Sequence, residues 1–568
     1  MTASIARNRL IDLARPDGVG PIWCDGHEIL QRIFVTVRDQ HWREIAPTDS
    51  KRAIDETLGI ATLAARHESD TVAFEWKGRF RVSDDGRELR FEFSGRVLRD
   101  MHVCRVGLVV LHPVDSMVGS HVIATAPRSA HEFTPTEIIA PQPVMSGIPA
   151  AMTEPFVKLV IERADFGRLD LTFEGDSFEL EDQRNWGDAS FKTYCTPLRL
   201  GFPRALKAGT VIQHSVEIRL TPPGTQSKAA LAGYRGGEFP QLGLEWSRAG
   251  ETARALNELE LTWSHLHFNA GTLENLTELR ETLAAEEDPP LHIGFEVQDD
   301  GSLDKAIALF TAHRKRISRL FLYGPGTSVP SAAAISHCRL KLENAAKDWD
   351  IPLSAATSGY FVELNRGVPF SLPVSGIAFP LTATVHSDDP ETISGNVVAI
   401  QDMAQTALRL TGSNWLSITP LALHYPASRM TQQFPTALVT PWLVATLIHA
   451  ALGGVNSVTL ARDILSSIVT LRPGGIDFIS RLADLSGREV ARLAGGLPQS
   501  LHAVKFISAA ASEPQVLAAN MSSNSVEISL SSLGKGLRTA TDAVTGRPLD
   551  LHGGSLIVPG YGVTLVGY

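Results

Sequence analysis

Near residue 230 the hydrophobic period of this chain changes, and that change constrains the fold more than any other feature. Upstream, between Gly20 and Thr221, short runs alternate apolar and polar residues: ILQRIFVTVRD, TVAFEWKGRFRVS, LRFEFSGRVL, CRVGLVVLHP, FVKLVIERA, RLDLTFEGDSFELED and VIQHSVEIRLT. A period of two puts alternate side chains on one face, the pattern of half-buried antiparallel strands. Such a succession without a long helix predicts a large β-sandwich over residues 1–230. TPPGTQSK (221–228) then breaks the pattern with proline, glycine and polar residues.

Downstream, continuous apolar runs alternate with helical stretches. The predicted strands are QLGLEW (241–246), ELELTW (258–263), LHIGFEV (291–297), ISRLFLYG (317–324), PLSAAT (352–357), GIAFPL (376–381), WLSITPL (415–421) and VNSVTLA (455–461). Helical segments such as SLDKAIALFTAHRKR and TPWLVATLIHAAL separate them. Eight strands in alternation with helices predict a (β/α)8 TIM barrel over residues 231–498, with an open doubly wound sheet as the structural alternative. The connection VELNRGVPFSLPVS is too interrupted by proline and glycine for a full helix, whereas GIDFISRLADLSGREVARLAG (475–495) reads as one amphipathic helix. Residues 499–568 return to strands and turns, predicting a small C-terminal β-domain completed by strands from the N-terminal region. Sandwich, barrel and terminal β-domain together make a glycoside-hydrolase-like architecture.

Composition narrows the function. Lys plus Arg is 52 against 62 Asp plus Glu, a formal charge of −10, and no Lys/Arg-rich run is present. Phosphate-backbone binding lacks its electrostatic footprint, so nucleic acid is not an expected partner. The four cysteines form no CxxC pair, which disfavours a zinc ribbon and a disulfide framework. No run approaches 18 uninterrupted apolar residues and the N-terminal segment has no apolar stretch of signal-peptide length, so no membrane association and a cytoplasmic location are expected. GxGxxG, GxxxxGK[ST] and GxSxG are all absent, leaving no support for a nucleotide cofactor or an α/β-hydrolase serine.

Barrel chemistry gathers at the C-terminal ends of the strands. There the sequence offers Glu245, His265, His267, Glu296, Tyr360, Glu363, Asn365, His386, Asp388 and His424. A polyhydroxylated ligand needs such a density of donors and acceptors when it is desolvated. Glu363, flanked by Tyr360 and Phe361, is the first choice for a general base or acid. Its plain structural reading is an ion pair with Arg366. His386, in VHSDD, is the second choice, with Asp388 orienting the ring; the competing reading has Asp388 or Asp389 capping the next helix. His265 and His267, two residues apart, would face one side of a strand as metal ligands do, but no third ligand has matching spacing, and a metal-free site is expected.

A further concentration of polar and aromatic residues lies at FELEDQRNWGDASFKTY (178–194). Arg184 has the planar fork for a carboxylate or vicinal oxygens, and Trp186 offers a platform for the C–H face of a sugar-like ring. Asp182 and Asn185 flank them. Here the chain becomes recognisable: EDQRNWGDASFKTY followed by CTPLRLGFP closely resembles the EDQRNWTDASYKTYxxPL signature of the D-apionate lactonase family, with Gly187 in place of its threonine. CRVGLVVLHP (104–113), GYFVELNR (359–366) and VHSDD (385–389) agree with it.

The resemblance implies hydrolysis of D-apionolactone to D-apionate in pentose catabolism, with a small-molecule sugar lactone as partner. Opening such a ring requires an activated water, an oxyanion donor and a proton for the departing alkoxide. On the reading from the residues, Glu363, or His386 oriented by Asp388, activates water. Arg184, Asn365 or His424 stabilises the oxyanion, while Glu245, Glu296, Asp182, Asn185, Trp186 and Tyr360 shape the polyol site. The alternative is a TIM-barrel glycoside hydrolase using paired carboxylates drawn from Glu245, Glu296 and Glu363. FVELNR lacks the Asn-Glu order of the large retaining clan, and LALHYP brings no carboxylate to the end of strand seven. A non-catalytic carbohydrate-binding protein is the third reading; an aromatic content of 7% speaks against it.

Overall fold

A computed structural model describes residues 14–24, 27–222, 236–246, 265–272, 276–284, 290–367, 373–386, 389–424, 434–471, 474–493, 497–507, 513–534 and 536–567. The chain forms two compact units, Met1–Arg184 with Ala189–Ala232, and Asn185–Asp188 with Gly233–Tyr568.

The first unit is a sandwich of a nine-stranded and a six-stranded antiparallel sheet. Strand Glu88–Val97 shows why the sequence folds this way. Leu89, Phe91, Phe93 and Val97 point into the core, whereas Glu88, Glu92, Ser94 and Arg96 face solvent. Side chains from both sheets, among them Val35, Val37, Phe74, Phe91 and Phe178, share one apolar cluster, the arrangement in which two alternating faces bury each other. Strands Glu179–Asp182 and Ser190–Tyr194 pair as a hairpin, with Asp182 opposite Phe191. Its tip, Asn185–Asp188, belongs to the second unit.

The second unit is built on a closed parallel barrel, which settles the closed-versus-open alternative. Its strands are β1 (Gln241–Trp246), β2 (His265–Thr272), β3 (Leu291–Glu296), β4 (Ile317–Tyr323), β5 (Leu353–Ala356), β6 (Gly376–Thr382), β7 (Leu416–Ala422) and β8 (Ser457–Leu460). Gly243 of β1 registers with Thr459 of β8 and closes the ring. Seven strands lie where the periodicity puts them. The second is displaced: ELELTW (258–263) falls outside the described residues, and β2 is HLHFNAGT. Its apolar residues Leu266 and Phe268 are buried alongside two histidines that point inward.

The barrel interior is polar at this side. Nε2 of His265 lies 3.1 Å from Oγ1 of Thr459, and its ring stacks on His292 at 3.9 Å. A methyl group at Gly243 would stand 2.1 Å from His265 Nε2, so glycine is what leaves room for that imidazole. Arg319 donates to Ser354 Oγ at 2.9 Å and lies 3.5 Å over the Trp415 ring.

The helices are α1 (Thr277–Ala284), α2 (Asp300–Ala312), α3 (Ala332–Ala345), α4 (Phe361–Gly367), α5 (Pro390–Asn396), α6 (Ala399–Thr411), α7 (Val439–Gly453), α8 (Arg462–Leu471) and α9 (Gly475–Ala483). Asp299 and Asp389 cap α2 and α5 by accepting from Ser302 N and Thr392 N, satisfying donors that a helix start leaves open. Among the described residues, Thr436–Gly453 is long and apolar enough to cross a membrane, yet 89% of it is buried inside the protein, as a core helix is. The expected helix 475–495 is half a helix. The chain leaves α9 and turns at Gly487, whose φ of 75° suits glycine, and Glu489–Arg492 becomes a strand. That strand opens the terminal sheet, pairing with Leu501–Phe506 and with Gly237–Glu238 from just ahead of β1. The sheet is thus completed from the barrel's own leader and not from the N-terminal region.

Candidate active site

The connections after β5 and β6 receive the hairpin tip. Oδ1 of Asn185 accepts a hydrogen bond from Nδ2 of Asn365 on α4 at 2.8 Å, both residues being buried. Trp186 lies 5.6 Å from the Tyr360 ring and 5.7 Å from the His386 ring, with the Arg366 guanidinium 6.0 Å from its centroid. Gly187 has φ +88° and only Leu381 within reach of a Cβ, at 3.9 Å. Glycine's conformational freedom therefore lets the tip reverse between Trp186 and Asp188. Burial pushes the Tyr360 hydroxyl above its ordinary pKa, keeping it a neutral donor.

Asp188 is the residue that organises the group. One of its oxygens meets Nδ1 of His386 in a short contact, and the other accepts from Nδ2 of Asn396, on α5, at 2.8 Å. The carboxylate is thereby held on both sides, and it holds the imidazole with Nδ1 as its donor. The His386 side chain retains 20% exposure, and its Nε2 has no partner among the described residues. A fixed tautomer with a reachable Nε2 is the geometry of a general base. Asp388, expected to orient His386, lies outside the described residues, while Asp389 caps α5 as the plain reading had it.

Glu363 stands in the first turn of α4 with 26% of its side chain exposed, and it pairs with Arg366 at 3.5 Å. Phe361, expected to flank it, turns into the core instead. The ion pair that the plain reading proposed is therefore present.

A second set of polar groups lies at the ends of β8, β1 and β2. Glu245 shares the inward face of Gly243, two residues earlier on β1, and registers with His267 of β2. Asp463, in the first turn of α8, accepts the backbone N–H groups of Leu423 and His424 on Oδ2 at 3.0 and 3.1 Å. Burial raises the pKa of the Glu245 carboxyl, opposed by Arg462 and reinforced by Asp463. Burial likewise raises that of Asp463, against the N–H groups donated to it. His267 is 3% exposed and held neutral by burial, its pKa pushed down to about 3. Glu296 closes β3 opposite Tyr323, and His424 is exposed after β7.

Asp182 and Arg184 take another place. Nε and Nη2 of Arg184 donate to the two oxygens of Asp182 at 2.9 and 2.6 Å, with both side chains 1% exposed. The guanidinium also lies 4.8 Å from the Phe191 ring. The fork expected to meet a ligand is occupied by its own neighbour, so the pair braces the hairpin stem in the first unit. Among the described residues, one group of potential metal ligands has its atoms within 4.8 Å of one another, Asp176, Cys195 and His214 in that same unit; His265 and His267 do not form one.

Sequence reasoning placed Asp463 at the end of strand eight without a specific role, assigned none to Asp188 and left out Asn396. Asp188 was visible inside EDQRNWGD, but its partner is 198 residues away. Asn396 sits ten positions after His386 on a separate helix, a spacing that carries no signal.

Comparison with known proteins places this geometry. Residues 9–223 match the D-apionate lactonase N-terminal domain, and residues 244–431 match the D-apionate lactonase TIM barrel domain. A D-apionate lactonase from Brucella anthropi is 28% identical over 254 residues, a match spanning 41% of this chain and 39% of that protein. Among solved structures, a conserved exported protein from Bacteroides fragilis aligns with TM-score 0.39 and 9% identity over 59% of this chain and 98% of its own. The GH36 α-galactosidase AgaA of Geobacillus stearothermophilus aligns with TM-score 0.29 and 11% identity, covering 94% of this chain and 89% of its own. The hairpin carrying Trp186 and Asp188 lies in the first matched segment and the strands carrying His386 and Glu245 in the second, so both parts of the site fall within one family: the chain belongs to the D-apionate lactonase family.

Proposed function

We propose that this protein hydrolyses a sugar-acid lactone, D-apionolactone to D-apionate, with His386 as the general base that activates water. The observation that carries the reading is the clamp on His386: Nδ1 bound by Asp188, itself fixed by Asn396, with Nε2 unpartnered among the described residues. Family membership supports the lactone as substrate class.

In this mechanism Nε2 of His386 takes a proton from water as the oxygen attacks the lactone carbonyl. Asp188 stabilises the resulting imidazolium, as a buried carboxylate does for a catalytic histidine. Arg366 supplies positive charge on the same side for the developing oxyanion. Trp186 and Tyr360 form the wall against which the C–H face of the ring packs. Asn185 and Asn365 fix the tip to α4 and so set the distance between that wall and the base.

The test is acid release from D-apionolactone followed by pH-stat, with chromogenic glycosides assayed in parallel. Ring opening well above the spontaneous rate is expected, without aglycone release. A rate equal to the spontaneous one overturns the proposal, and aglycone release would transfer the site to the glycosidase alternative.

A further inference from the structure

Lactone opening moves two protons, and the His386–Asp188 couple accounts for one. When the tetrahedral intermediate collapses, the C–O bond to the ring oxygen breaks and that oxygen departs as an alkoxide, a poor leaving group unless it is protonated. The ends of β8, β1 and β2 carry buried polar groups that lack full partners among the described residues. Among the described residues, Oδ1 of Asp463 is buried without a hydrogen-bond partner, although Oδ2 has two. His267 is 3% exposed, and neither ring nitrogen has a hydrogen-bond partner among the described residues. Between them, on the neighbouring strand, stands Glu245, directed inward by the period of β1 and in register with His267.

Buried polar atoms are nearly always paired, and those that are not point to a water or ligand that belongs there. The ligand chemistry is legible from the donors. A neutral imidazole offers one donor and one acceptor, and a carboxyl pair offers acceptors plus whatever protons it retains. A neutral polyol satisfies both, whereas an anion would meet the Asp463 and Glu245 carboxyls unfavourably.

We propose that Glu245 is the proton donor to the departing ring oxygen, positioned by Asp463 and His267 on the β8–β1–β2 side of the barrel, while His386 works from the β6 side. The inference rests on the lactonase reading above. Its balance is simple. Water gives one proton to His386 Nε2 and its oxygen to the carbonyl carbon, and the Glu245 carboxyl proton goes to the ring oxygen, leaving an alcohol, an acid, a Glu245 carboxylate and a His386 imidazolium. Solvent then carries the imidazolium proton back to Glu245. Burial raises the carboxyl pKa of Glu245, the direction a proton donor needs. That first cause is opposed by Arg462 and reinforced by Asp463 from α8; His267 of β2 lies in register with Glu245.

The test compares Glu245→Gln, Glu245→Asp and wild type on D-apionolactone across pH 5–9, with thermal melting of each variant as the control for folding. Glu245→Gln is expected to lower kcat at least 100-fold with little change in KM, and to abolish the alkaline fall in kcat. Glu245→Asp, which keeps an acid at the position, is expected to recover part of the loss. A Glu245→Gln enzyme with wild-type kcat, or one altered only in KM, overturns the proposal, as does an aspartate variant no better than glutamine. Absence of turnover by the wild-type protein is a separate outcome: it overturns the lactonase reading itself, and this inference with it.

Discussion

At the scale of single residues, the decisive pairings join side chains that share no local motif. Asp188 and His386 are 198 positions apart. If that pair fixes the base, His386→Ala and Asp188→Asn each lower kcat for D-apionolactone at least 100-fold, whereas Glu363→Gln, which removes one half-buried ion pair at 3.5 Å, lowers it less than tenfold. Steady-state kinetics on the three variants checks this, and a Glu363→Gln loss equal to that of His386→Ala would return the base to Glu363. Asp182 and Arg184 belong to a different class, since both are buried and face each other. Asp182→Ala strands a guanidinium out of water and is expected to cost about 3–5 kcal/mol of stability, read as a lower denaturation midpoint; an unchanged midpoint would mean the pair is replaceable by solvent.

Among the elements, the short ones carry the chemistry and the long ones the stability. Helix α4 is seven residues long and presents Glu363, Asn365 and Arg366 within two turns. Helix α7, by contrast, is buried from Val439 to Gly453. Leu443 has no exposed surface, and Leu443→Ala is expected to cost about 2–5 kcal/mol through lost burial and the cavity left behind. Urea denaturation measures this, and activity per folded molecule should persist because α7 contributes no residue to the proposed site. A substitution that left the midpoint in place would show that the neighbouring side chains collapse into the gap.

Across the whole molecule, the notable charge property is internal rather than net. His112, His265 and His267 are fully buried, each with its pKa pushed down by burial to about 3 from an ordinary 6.5, and His292 and His449 are lowered by the same cause. In the unfolded chain His112, His265 and His267 take up protons below pH 6.5; in the folded one they do not until about pH 3. Protons therefore favour the unfolded state throughout that window, and stability falls as pH falls through it. The cost is about 2 kcal/mol per histidine at pH 5. Melting temperatures at pH 7.5 and pH 5 test this, with a steep acid-side loss expected and a flat profile counting against buried neutral histidines.

The architecture was legible from the sequence because period and length are local properties. Alternation in Glu88–Val97 and the continuous runs at Ile317–Tyr323 or Gly376–Thr382 each reflect how one strand meets its surroundings, and no long-range information is needed to read them. Reading failed where two local patterns coincide. HLHFNAGT hides a barrel strand because its inward face is histidine, and REVAR continues the amphipathic pattern of α9 although the helix has already ended at Ala483 and the chain has turned at Gly487. The residue types of the site were also legible, since strand ends and the EDQRNW loop drew attention to Glu245, Trp186, Asn365 and His386. Their partners were not. Whether Arg184 meets a ligand or Asp182, and whether Asp188 or Asp388 holds His386, depends on which side chains the closed barrel and the hairpin tip bring within about 3 Å of each other. Hydrogen bonding and desolvation act at that range through space, and only the tertiary structure sets it.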